Sequence, residues 1–487
     1  MPVRPTLIRH TLLYMPAQVI GPLAQFAAIL VFTHWMAPGP YGVLTYIMAS
    51  QDFVFLLCLS WFSQYTIRYF TSHEAASGDS YGDSEFPILA GTILPQIVAS
   101  IAALVFISVE WTAALIGATV LYTVTRCLAL HLGERARAQR RILDYTIAAS
   151  VGPVVGFAVA FAAVAVIAPT PEVALTGYGI VQALVLVWLV ARQRMRFVLR
   201  MPDRALLRQA LGFGLPLIVA GVAAWFGTNA IRILVDHQLG SAAMGLIAVG
   251  WALGQRITAT TAMFVTVAAF PIAVEHFRLG SRAEAYRQIT VNGLLMFGIS
   301  LPAAVGLYLL QDSLVPLFVA APFRAMTIAV LPAGLIAGLC RNIRTHVADQ
   351  VFVLIERTPI VSYMTIGEAL AVVAGCWIGL MTAGPVGAAY GSAAGYTLTM
   401  VVSFAIARLS AGLRLPLQDA GLVAVAAVVM AVAVKWLPQG NGSMHGAVAQ
   451  IALVTAVGAA VYAVAILAFF PVVTRSAWTR WRRLATR

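Results

Sequence analysis

Lysine is all but missing from this chain of 487 residues: among 31 basic side chains only Lys435 is a lysine, and Trp436 follows it. A phosphate loop for nucleotides ends in Lys-Ser or Lys-Thr, so no ATPase of that kind is built in. Charge of either sign is scarce, at 10 % of residues against about 25 % in a soluble chain. The few cysteines, Cys58, Cys127, Cys340 and Cys376, all fall in apolar stretches, with neither a disulfide framework nor zinc spacing. No two aspartates have the Asp-x-Asp spacing of a metal-dependent sugar-nucleotide transferase. His34, His131, His237, His276 and His346 are scattered, which reads as histidines at helix ends or at the membrane interface. The outer loops are short, the longest at about 311–324 and itself largely apolar, which leaves no room for an external catalytic domain. A transporter is expected rather than an enzyme, with no cofactor and no metal.

What is present is hydrophobic sequence, 61 % of residues with a mean hydropathy of +0.89. About 20 apolar residues cross a bilayer core as a helix. That ruler predicts fourteen spans, at about 10–36, 41–69, 87–108, 112–131, 146–168, 174–191, 210–235, 242–270, 289–310, 325–345, 360–382, 386–408, 419–437 and 446–470. The breaks near 109–111 and 384–385 are the shortest. The fold class is therefore an all-α polytopic membrane protein. The first span is too long for a signal-peptide core and is read as retained.

Arginine sets the orientation. With a cytoplasmic N-terminus the inside loops collect 26 of the 31 basic residues, including Arg135, Arg137, Arg140 and Arg141, the run from Arg192 to Arg208, and the tail from Arg475 to Arg487. Both termini are then inside, and the span count is even. The net charge of +13 serves topology and anionic headgroups rather than nucleic acid.

The first and seventh spans repeat at an offset of about 200: Pro16 meets Pro216, Gly21 meets Gly221 and Phe26 meets Phe226. Each is followed by a short outer turn and a helix opening on glycine, Tyr41-Gly42 or Met244-Gly245, and Tyr178-Gly179 is echoed by Tyr390-Gly391. Copies six spans apart share orientation. This predicts two pseudo-symmetric six-helix lobes, 1–208 and 209–410, around a central cavity, with two extra helices and a basic tail in 411–487. Pro16, Pro22 and Pro216 each remove a helix hydrogen bond and are either hinges or static kinks.

An ionisable group deep in a span costs about 2.5–3.5 kcal/mol and should face protein or water. Asp52, Arg126, Arg256 and Glu368 lie at such depth, and Arg232 nearer an outer end. Trp225, Asn229, Arg232 and Asp236 share one helical face, as do Tyr14, Gln18 and Gln25. Amides and aromatic rings suit sugars, and guanidinium forks suit phosphate oxygens. The stripes line a cavity or glue helices together. Asp52 and Glu368 are either ion-coupling sites, for H⁺ or Na⁺, or members of internal ion pairs.

Residues 212–257, with Leu215-Pro216, Trp225, Arg232, Leu239-Gly240 and Gly245, resemble the seventh and eighth helices of Wzx-type polysaccharide flippases, members of the multidrug/oligosaccharidyl-lipid/polysaccharide (MOP) exporter superfamily. Ile231 stands where that family has an aspartate. Tyr41-Gly42, Ile67-Arg68-Tyr69, the run from Arg135 to Arg140 and Gly384-Pro385-Val386-Gly387 add to the resemblance, which covers about 1–410. It implies gradient-driven translocation of an undecaprenyl-pyrophosphate-linked oligosaccharide across a bacterial inner membrane for surface polysaccharide synthesis. Membrane lipids and polysaccharide polymerase machinery would be the partners. It also implies Arg126, Arg232 and Arg256 as phosphate or sugar contacts, Asn229, Trp225, Gln18, Gln25 and Tyr14 for sugar, and Asp52 for coupling. A lipid II flippase and a cation-coupled drug exporter share the fold. An O-antigen polymerase or ligase would need a substantial basic outer loop, and only Arg324 and Lys435 are outside. A cavity complete in one chain predicts a monomer.

Overall fold

The structure is a computed structural model that describes residues 20, 21, 23–76, 80–198, 200–437 and 444–470; the side chains of 71–76, 80, 264–271, 444 and 445 are not described. Among the described residues every regular element is helical. The elements are α1 (Leu23–Trp35), α2 (Pro38–Cys58), α3 (Ser60–Ala76), α4 (Ser80–Ala103), α5 (Ala113–Ala138), α6 (Ile142–Val166) and α7 (Pro171–Arg192). They continue as α8 (Arg204–Arg278), α9 (Arg282–Phe318), α10 (Ala321–Ile343), α11 (Asp349–Leu354), α12 (Thr358–Ala411), α13 (Leu417–Lys435) and α14 (Met444–Phe469).

Within the described residues the predicted spans fall on helices, the one at 41–69 on two, α2 and α3, and those of α8 and α12 on half a helix each; much of the first, 10–36, lies outside the described residues. Proline in the first turn starts α2, α7, α10 and α12, where its missing N–H has no helical partner to lose. Thr112 caps α5 by accepting a hydrogen bond from the Leu115 N–H at 3.1 Å. The long α8 and α12 are each two spans, broken at Gly240 (φ 82°) and at Gly384 (φ 63°), the second next to Pro385. A side chain is disfavoured in that left-handed region, so glycine allows the chain to turn back within one residue.

Several helices run further than the hydropathy limits. α4 starts at Ser80, α5 continues to Ala138, and α10 is prolonged through a π turn, Arg344–Ala348, into α11. The predicted outer loop at 311–324 is a correction: α9 extends to Phe318 and only Val319 and Ala320 separate it from α10. Pro16 and Pro22 lie outside the described residues. Pro216 lies within the first half of α8, whose departure from helical backbone is at Gly240.

The chain forms two compact units, one up to Val249 and one from Gly250. In the first, α5 and α6 pack on α7, and α3 and α4 pack on α5. Phe62, Tyr65, Tyr81, Leu132 and Leu189 are among its buried core. In the second, α10 packs on α12, while α13 and α14 pack on α9. There Tyr462 donates to the Gly298 carbonyl at 2.7 Å and Ser313 to Gln450 at 3.0 Å. Exposed side chains along the helices, such as Leu184, Val187, Leu370 and Ile378, are apolar, as lipid contact requires.

Within the first unit the openings of α2 and of the second half of α8 touch backbone to backbone. A Cβ on Gly245 would overlap the Pro38 carbonyl oxygen, and one on Gly42 the Ser241 carbonyl oxygen. Gly245→Val is expected to force these helices apart at a cost of about 1–3 kcal/mol, seen as a lower unfolding temperature of the detergent-solubilised protein; an unchanged temperature would deny the close contact.

Candidate substrate cavity and buried charge clusters

A cavity of about 170 Å³ opens between α1, α5 and α6. On α5 it is lined by Arg126, Ala129, Leu130, Gly133 and Glu134, positions that recur on one helical face. Opposite stand Ala148, Ala149 and Pro153 of α6, whose small size leaves the space open. Gln25 of α1 and Tyr145 of α6 complete a polar lining with Arg126 and Glu134. Two of the predicted contacts, Gln25 and Arg126, are thus brought together, both half-buried. Asp52 is exposed on α2, and it and Arg126 both lie within electrostatic range of Tyr122 and Cys127. Tyr14 and Gln18 lie outside the described residues.

The predicted stripe on α8 faces α2. The Trp225 indole N–H donates to the Ala49 carbonyl at 2.9 Å, and its ring packs on Phe53 with centroids 4.5 Å apart. Asn229 is buried; its amide donates to the Trp225 carbonyl at 3.0 Å, and its Oδ1 accepts from Arg232 Nη1 at 2.7 Å. Asp236 is buried and accepts from the Ser108 N–H on the connection between α4 and α5. The stripe ties helices and connection together with its own polar groups.

In the second unit Arg256 is half-buried on α8. Glu368 is buried in an ion pair with Arg344, Nε to Oε2 at 3.2 Å. Arg344 also pairs with Asp349 at 3.4 Å and donates to the Met364 carbonyl at 3.0 Å. One arginine on the π turn therefore bridges two buried carboxylates.

A second charge cluster is not legible in the sequence as a site. His131 is fully buried inside α5, not at a helix end, and this corrects the interfacial reading. Its Nε2 lies 3.3 Å from Glu85 Oε1, and its Nδ1 lies 2.9 Å from Ser63 Oγ. The other Glu85 oxygen pairs with Arg135 Nε at 3.1 Å, and Arg135 donates to Gln193 at 3.3 Å. Tyr81 donates to Glu85 at 3.5 Å and shares a 2.7 Å hydrogen bond with Thr66. The signal available in sequence is the i, i+4 pair His131 and Arg135. Hydropathy starts the third span after Glu85 and so gives no reason to look for it inside the protein.

Fold and cavity together define a multi-pass membrane protein with the architecture of MOP superfamily transporters. The structure is similar to "Lipid II flippase MurJ, inward closed conformation", with a TM-score of 0.76 over 95 % of this chain and 100 % of that one, at 11 % identity. It is also similar to an inward-facing multidrug resistance MATE family transporter of the MOP superfamily (TM-score 0.59, 80 % and 94 % covered, 13 % identity) and to the MATE multidrug transporter DinF-BH (0.56, 83 % and 95 %, 15 %). No curated protein matches the sequence significantly. Residues 31–327 match the model of a family described as "Polysaccharide biosynthesis protein", and the chain belongs to that family.

Proposed function

We propose that the protein translocates an undecaprenyl-pyrophosphate-linked oligosaccharide from the inner to the outer leaflet of a bacterial inner membrane, by alternating access with both termini cytoplasmic. The observation that carries this reading is the cavity that joins Arg126, Gln25 and Tyr145. A guanidinium offers paired donors to phosphate oxygens, and an amide and a phenol offer hydrogen bonds to sugar hydroxyls. Small residues on α5 and α6 leave room for a headgroup, while a lipid tail can stay among the apolar outer faces. The family to which the chain belongs supports a glycan as cargo.

The moving parts are the lobes 1–208 and 209–410, with Pro216 as a hinge, and residues 411–487 form an addition to them. Arg232 and Arg256, both half-buried, serve as further cationic contacts, while Trp225 holds α8 against α2 and Asn229 orients Arg232. Asp52 is exposed on α2, and we assign it to ion coupling. Polymerase machinery would receive the glycan on the outer side.

The test is leaflet exchange by the purified protein in liposomes, using a fluorescent undecaprenyl-pyrophosphate oligosaccharide and an impermeant quencher. Protein-dependent exchange that accelerates under an ion gradient is expected. No exchange with several glycans, together with gradient-driven efflux of a cationic dye, would overturn it in favour of a drug exporter. Arg256→Ala is expected to abolish exchange while the protein accumulates normally in the membrane; full exchange would remove Arg256 from the pathway.

A further inference from the structure

Glu85 and Arg135 already balance each other's charge in the buried core of the first unit, at 3.1 Å. His131 is an addition that charge balance does not require. Both its nitrogens have partners, and the partner of Nδ1 is a hydroxyl rather than a carbonyl. A carbonyl would hold a proton on Nδ1 permanently and fix one state of the ring. Ser63 accommodates two. When the imidazole is neutral, Nε2–H donates to Glu85 and the Ser63 hydroxyl donates to Nδ1. When a proton binds Nδ1, that N–H donates to Ser63 Oγ, and the hydroxyl proton turns to the Leu59 carbonyl, 3.2 Å away. In both states the two imidazole nitrogens and the Ser63 hydroxyl keep a partner.

The added charge also has a place to rest. The Phe62 ring lies parallel to the imidazole, with centroids 5.1 Å apart and an interplanar angle of 15°, and an aromatic face attracts a cation. The titratable and charged groups facing His131 are Glu85 and Tyr81 from α4 and Arg135 from α5; α3 presents Ser63, Thr66 and Phe62, and the end of α7 presents Gln193. Protonation would raise the net charge of this set from zero to one positive. Metal binding is not the reading, since no cluster of three ligating side chains occurs among the described residues.

From this geometry we infer that Ser63, His131 and Glu85 form a proton-binding site, and that its occupancy couples translocation to the proton gradient. The coupling half of this inference rests on the function proposed above. The physical link is α5, which carries Arg126, Gly133 and Glu134 on its cavity face and His131 and Arg135 on its buried face. One rigid helix therefore feels both the proton and the cargo.

Two measurements on the full-length protein in lipid test it. Nitrogen NMR of ¹⁵N-histidine-labelled protein, with His131→Gln identifying the resonance, should show Nδ1 gaining a proton as the medium is acidified. Ser63→Ala should make that protonation harder, because the cation loses its acceptor. In liposomes with trapped pyranine, wild-type glycan exchange should carry protons inward, and His131→Gln should lose about tenfold of this flux. A resonance that does not change between roughly pH 5 and 8, or proton flux unaltered in His131→Gln, overturns the inference. Ser63→Ala keeps the test open should His131→Gln not reach the membrane. If His131 titrates and no glycan moves, the proposed cargo fails and the proton site stands.

Discussion

Arg126→Ala is expected to slow leaflet exchange of the lipid-linked oligosaccharide on the order of 100-fold. A hydrogen bond to a charged group contributes about 1.5–3 kcal/mol. A guanidinium fork makes two to a phosphate. Their joint loss, about 3 kcal/mol, corresponds to two powers of ten in affinity. The residue is half-buried in a cavity walled by Ala129, Gly133, Ala148 and Ala149, so no neighbouring arginine in that wall substitutes for it. Arg126→Lys keeps a point charge without the fork and is expected to lose about tenfold. The quenching assay measures both, and quantified protein in the membrane separates transport from folding. Alanine retaining more than half of the wild-type rate would move the phosphate contact out of this cavity.

The spans were legible because the bilayer imposes a length that apolar runs must meet. The turn at Gly384 was legible for a similar reason, since Gly-Pro inside an apolar run can end one helix and start another. Helix limits were less so. Glu85, Asp144 and Arg344 all sit in helices or a helical turn at the margins of the hydropathy limits. A charged residue lowers the hydropathy of a window whether it faces lipid or is paired inside protein, and the pairing depends on residues far away in sequence. Glu85 and His131, 46 residues apart, meet only once α4 packs on α5.

The site was legible in the same partial way. Helical spacing identified the face of Trp225, Asn229 and Arg232 correctly, and it gave no indication that α2 covers that face through Ala49. Arg126 stood out by its depth alone, and Gln25 by the polar stripe it shares. That both border one cavity is a consequence of α1 and α6 approaching α5, which no local pattern encodes. The small residues that keep the cavity open were visible in sequence only as ordinary membrane-helix composition.

Glu368 is where sequence left two readings open, and a stability experiment on its partner separates them. Arg344→Leu removes the cation that pairs with two buried carboxylates, Asp349 and Glu368. Losing one partner of a buried pair costs about 3–5 kcal/mol, because the remaining charge stays desolvated. The unfolding temperature should fall by roughly 3–5 °C, with much less protein recovered in the membrane. Replacing Asp349 and Glu368 by leucine as well removes the stranded charges, and buried ion pairs exchanged for apolar groups are often neutral in stability. The triple variant is therefore expected to recover most of the lost temperature. If it also keeps gradient-dependent exchange, Glu368 holds the π turn and the first part of α12 together and carries no ion. If stability returns while exchange no longer responds to the gradient, Glu368 is a coupling carboxylate, and Arg344 is the cation that occupies it between cycles.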